Sequence, residues 1–111
     1  MPYDQALAER VRGLLGAESG LTEKKMFGGL AFLVTGNMAV AASGNGGLMV
    51  RVDPEAGARL VDSTTAEAVV MRGRAMSGWL AITSADVAEE HDLRDWVRRG
   101  VDFARSLPAK T

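Results

Sequence analysis

Lys24-Lys25-Met26-Phe27-Gly28-Gly29-Leu30-Ala31-Phe32-Leu33-Val34 is the stretch on which the fold of this chain turns. It is the longest apolar run with strand chemistry, and its alternate positions sort into two faces. Met26, Leu30, Phe32 and Val34 make one face; Phe27, Ala31 and Leu33 make the other. Both are apolar toward the C-terminal end, so a strand over about 23–34 is expected to be buried on both sides there. Gly36-Asn37 follows almost at once, and both residues tolerate the positive φ of a two-residue hairpin turn. The spacing then predicts a second strand over 38–43, a turn at Gly44-Asn45-Gly46-Gly47 and a third strand over 48–52. In that third strand Leu48, Val50 and Val52 face one way, Met49 and Arg51 the other. The reading is an antiparallel meander.

Helices bracket it. Leu7, Val11, Leu14 and Leu15 recur at helical spacing, which predicts a helix over 4–15 capped by Asp4 and stopped at Gly16. Asp53-Pro54 opens a second helix, with Asp as cap and Pro in the first turn where no N–H is needed. It runs to about 62. Strands over 68–71 and 76–82 flank a turn at Arg72-Gly73-Arg74. Thr83-Ser84-Ala85-Asp86 has capping-box spacing, and Asp92 is the expected cap of a further helical segment. From there Leu93, Trp96, Val97, Gly100, Ala104 and Leu107 keep one apolar face until Pro108. The order is α-β-β-β-α-β-β-α, an α+β fold with helices packed on an antiparallel sheet.

Composition narrows the function. The 111 residues are read as one domain, 1–111, and 47% hydrophobic with 24% charged is a globular balance. A net charge of −1 argues against a dedicated nucleic-acid binder and leaves room only for a local basic patch. No cysteine removes disulfides, thiolate metal sites and thiol nucleophiles; a lone histidine, His91, removes a four-ligand zinc site. No run approaches the ~18 apolar residues of a membrane span, and Met1-Pro2-Tyr3-Asp4 does not begin a signal peptide. A cytoplasmic protein with no membrane partner is expected.

Several runs together resemble a known family. They are Glu23-Lys24-Lys25-Met26-Phe27-Gly28-Gly29-Leu30-Ala31-Phe32, Gly36-Asn37-Met38-Ala39, Leu48-Met49-Val50-Arg51-Val52, Gly73-Arg74-Ala75-Met76-Ser77-Gly78-Trp79, and 96–108 from Trp96 to Pro108. This set resembles the N-terminal domain of the TfoX/Sxy competence-regulator family across nearly the whole chain. The resemblance implies an α-β(3)-α-β(2)-α fold like that of secretion chaperones, in agreement with the order read above. Name-giving members regulate DNA-uptake genes together with a cyclic-AMP-responsive transcription factor and carry a second, C-terminal domain. For this chain the resemblance therefore implies a stand-alone TfoX N-terminal-like module, with a transcription factor as the kind of protein partner to look for. It transfers no catalytic residue.

The chemistry-bearing residues point the same way. Gly28-Gly29 after two lysines is neither a dinucleotide nor a P-loop fingerprint, because no helix follows to hold an anion; a bulge or a close backbone approach is the plainer reading. Lys24, Lys25, Arg51, Arg72 and Arg74 are the basic residues that can lie on the sheet or its ends. Clustered, they would contact an anion or an acidic partner; unclustered, they are solvated charges that keep strand edges apart. His91, beside Glu89, Glu90 and Asp92 in a polar break, reads as a solvated histidine, since a catalytic base needs a partner group in reach that sequence does not show, and four consecutive side chains rarely converge on one metal. Met26, Met38 and Met49 read as flexible packing across the meander. Trp79 and Trp96 read as core, or as partner anchors if half-exposed. The expected function is a non-enzymatic regulatory or protein-binding module without a cofactor. A homodimer through a sheet edge or helix face is expected among its contacts. The alternative is a nucleic-acid-associated regulator using the basic residues; a small enzyme ranks last.

Overall fold

In the computed structural model, which describes residues 4–108 apart from 27, 45 and 72, the apolar run is folded back on itself. Leu21–Met26 (β1) and Gly29–Val34 (β2) form a hairpin in which Met26 pairs with Gly29. The single strand expected over 23–34 is thus two strands. Gly28, with φ +77°, supplies the left-handed turn residue that lets the chain reverse. Phe27, Asn45 and Arg72, used in the readings above, lie outside the described residues.

The hairpin turn expected at Gly36-Asn37 sits one residue earlier. Val34 pairs with Asn37, so Thr35 and Gly36 are the loop and Asn37 opens β3 (Asn37–Ala42). Both loop residues have positive φ, which matches the twist of the flanking strands. Thr35, at φ +50°, is a β-branched residue in a region that suits asparagine better. Thr35→Asn is therefore expected to raise stability by about 1 kcal/mol, read as a shift in denaturation midpoint.

β4 (Leu48–Arg51), β5 (Glu67–Met71) and β6 (Arg74–Ile82) complete a six-stranded antiparallel sheet in the order β1-β2-β3-β4-β6-β5. The α+β class and the sheet with packed helices are as read from the sequence. α1 (Gln5–Leu15) begins where Asp4 accepts the Leu7 N–H at 3.0 Å. It ends at Gly16, which stays right-handed rather than adopting the expected left-handed stop. α2 (Pro54–Ser63) begins where the Asp53 carboxylate accepts the N–H groups of Glu55 and Ala56. Thr83 and Asp86 do bond reciprocally, yet they close only a single 3₁₀ turn, Ala85–Val87. α3 (Glu90–Ser106) starts two residues before the expected cap, Asp92.

The helices share one side of the sheet. Leu30, Phe32, Val34, Val40, Val50, Leu80 and Ile82 point at it and join Leu7, Val11, Leu93, Val97 and Val101 in one buried cluster. α3 crosses β3 at Gly100, whose missing Cβ would lie 2.4 Å from the Ala39 carbonyl oxygen. A bulge sits at that crossing: Phe32 pairs with Val40 but Leu33 pairs with Met38, leaving Ala39 as the extra residue. Asn37, 1% exposed, donates from Nδ2 to the Pro108 carbonyl at 2.9 Å and ties the end of α3 to β3.

Ion pairs hold the periphery. Arg12 of α1 grips Glu23 of β1 with two nitrogens, at 2.7 and 2.8 Å, and also meets Glu9. Arg105 of α3 reaches Glu18 at 2.7 Å. The hydrogen bond from Arg12 holds the Glu23 carboxyl below the usual carboxylate range. A depressed folded-state pKa means the stabilisation is complete above the unfolded-state value and fades as pH falls through the folded one. The site is largely exposed, so the contribution is at most about 1 kcal/mol. Glu23→Gln is expected to lower stability by that amount at neutral pH and to leave it unchanged at low pH, as measured by unfolding titrations across the acid range.

Candidate functional site

Among the described residues, the other side of the sheet carries no helix. Successive strand pairings place one row of side chains straight across it. Lys24 pairs with Ala31, Ala31 with Ala41, Ala41 with Met49, Met49 with Ala81, and Ala81 with Glu67. Paired residues share a face, so this row lies opposite the helix layer. Three alanines give it a low floor. Met26, Met38 and Trp79 stand around them, and the result is a trough of about 370 Å³ lined wholly by strand and loop residues. Among the described lining residues Glu67 alone is ionisable, and it stands exposed on the edge strand β5. Such a surface offers apolar contact and shape, and no acid–base set converges on it among the described residues.

Trp79 is partly exposed here, at the border of the trough. Trp96 is buried on α3. The methionines expected to pack across the meander do share one surface, on the open side rather than in the core. Sequence reasoning missed the trough itself. Ala31, Ala41 and Ala81 fall in one row only through the strand registers, which the sequence pattern does not give.

Of the basic residues singled out from sequence, the four that are described do not meet in one patch. Lys24 and Lys25 lie on β1, at one edge of the sheet. Lys24 belongs to the open-face row, whereas Lys25 pairs with Leu30 of the core face. Arg74 begins β6, four strand places away, or about 19 Å at the usual strand spacing. Arg51 ends β4, with its guanidinium 5.8 Å from the Trp79 ring and 5.5 Å from that of Phe103 on α3. Arg72 lies outside the described residues. His91 is exposed in the first turn of α3, 3.2 Å from Asp92. Among the described residues no three His, Asp or Glu side chains converge as a metal site, and no helix is long and apolar enough to cross a membrane.

A two-layer α+β domain with one sheet face covered by helices and the other open to contact is the class that these features define. Residues 14–104 match the TfoX N-terminal domain. The chain belongs to that family. Among curated proteins no match to it is found.

Proposed function

We propose that this chain is a non-enzymatic, protein-binding regulatory module, cytoplasmic and acting through the open face of its sheet. The observation that carries this reading is the trough itself: an apolar, alanine-floored surface with a partly exposed tryptophan, uncovered by the described residues, whose helices pack on the opposite side. Family membership supports a regulatory setting and suggests a transcription factor as the partner class. The spread of Lys24, Lys25, Arg51 and Arg74 over three strands gives the nucleic-acid alternative little support.

Met49 stands at the centre of the face, so Met49→Glu puts a charge where a partner must dry the surface. Tagged wild-type protein is expected to retain a defined set of proteins that the Met49→Glu variant loses, while both unfold at similar denaturant concentration. Equal retention by the two would remove the open face from partner binding. A parallel anisotropy titration against a short DNA duplex is expected to show no saturable, salt-sensitive binding; such binding would favour the nucleic-acid alternative.

A further inference from the structure

The row across the open face reads Lys24–Ala31–Ala41–Met49–Ala81–Glu67, one residue from each of the six strands in spatial order. Its two ends carry opposite charges, its second and fifth positions are alanines, and its two central positions are one small and one large residue. We infer that the occupant of this face is a second copy of the same chain, stacked sheet on sheet about a two-fold axis that runs parallel to the strands between β3 and β4. The inference rests on the reading of the face as a protein-binding surface and names its partner.

The pattern is self-complementary under that axis alone. A two-fold parallel to the strands sends each position of the row onto its mirror position. Lys24 then lies over Glu67 of the second copy, Ala31 over Ala81, and Met49 over Ala41. A two-fold across the strands, in the same plane, would set Lys24 over Lys24 and Glu67 over Glu67, which like-charge repulsion disfavours. Sheets that pack face to face lie about 10 Å apart with strands nearly aligned. Lysine and glutamate side chains together span that gap at the rim, and a methionine over an alanine fills it at the centre. In the neighbouring row Leu33 pairs with Met38 and Arg51 with Trp79, so the same axis sets Leu33 over Trp79. It also sets Arg51 over Met38, with the Arg51 guanidinium held between the rings of Trp79, at 5.8 Å, and Phe103 of the helix layer, at 5.5 Å. Each copy presents the same patch, as an isologous interface requires.

The β1 edge fits a second copy less well. Thr22, Glu23, Lys24 and Lys25 stand exposed along the β1 edge, where charges discourage strand addition. The dimer is expected to be weak and reversible, since its centre offers only alanine and methionine side chains to bury.

Sedimentation velocity from micromolar to several hundred micromolar protein tests this. Wild type is expected to pass from monomer to dimer over that range, and Met49→Glu to stay monomeric. Lys24→Glu and Glu67→Lys set like charges at both rims, and each is expected to raise the dissociation constant by about tenfold or more. An equimolar mixture of those two variants restores both opposite-charge pairs in the heterodimer and recovers most of the wild-type constant. Lys25→Glu changes net charge equally but lies in the core-face register, and it is expected to leave the constant unmoved. Three results would each overturn the inference: a wild type that stays monomeric throughout, a dimer indifferent to Met49→Glu, or a mixture no better than its components. Should Met49→Glu fail to fold, the mixing experiment decides. A monomeric wild type that still loses partners with Met49→Glu would sink self-association alone and leave the protein-binding reading standing.

Discussion

Gly100→Ala is expected to cost about 2–3 kcal/mol, even though alanine is the better helix former. α3 lies on the sheet at this residue, and the added Cβ would fall 2.4 Å from the Ala39 carbonyl oxygen and 2.8 Å from Val40 Cγ1. The first of these is backbone, held at a bulge between β2 and β3, and it cannot swing aside as a side chain would. Relief requires lifting α3 off β3, which opens the contacts of Trp96, Val97 and Ala104 in the same stroke. A gain of roughly 1 kcal/mol in helix propensity offsets only part of that. Gly100→Leu is expected to prevent folding. Gly13, in α1, is the control: a Cβ there meets nothing within 4 Å. Gly13→Ala should therefore add about 0.5–1 kcal/mol. Chemical denaturation reads both as shifts in midpoint at constant slope. A Gly100→Ala protein as stable as wild type would mean that the helix does not sit this close.

Periodicity carried the helices well. Leu93, Trp96, Val97, Gly100 and Ala104 are all buried along α3, and Asp4 and Asp53 cap where their spacing placed them. Apolar pattern specifies a helix face strongly because the face is wide and the period long. Strand pairing is a weaker signal, since period two is the same before and after a reversal. Nothing in the alternation of 24–34 separates one long strand from a hairpin. The change in chemistry does: the half that became β1 carries Glu23, Lys24 and Lys25, as an edge strand should, and the half that became β2 is apolar throughout. The trough was harder to see. Lys24, Ala31, Ala41, Met49, Ala81 and Glu67 are scattered through the sequence, and they make a row only once every register is set. Lys24, Lys25, Arg51 and Arg74 lie apart for the same reason, because distance across a sheet is fixed by strand order rather than by composition.

The neighbouring glycines of the signature stretch are expected to respond very differently to one methyl group. Gly28 occupies the left-handed turn at φ +77° with open space around its Cβ position. Gly28→Ala therefore pays only the conformational cost of that region, about 1–2 kcal/mol. Gly29 has no such φ, yet its Cβ would lie 2.1 Å from the Ala42 carbonyl oxygen and 3.1 Å from the Gly44 backbone nitrogen. Both obstacles are main chain. β2 and β3 must part where Leu30 pairs with Ala42, so Gly29→Ala is expected to lose about 3 kcal/mol. Gly29 also lines the trough, and parting those strands reshapes that end of the open face. The variant should then bind poorly even under conditions where it remains folded. The two substitutions separate the architectures cleanly. If 23–34 were one continuous strand, Gly28 would be extended and Gly28→Ala would be neutral or stabilising. A loss at both positions, larger at Gly29, belongs to a hairpin whose second strand presses its backbone against β3. Equal and small effects would restore the single strand, and with it a five-stranded sheet in which Lys24 has no place opposite Glu67.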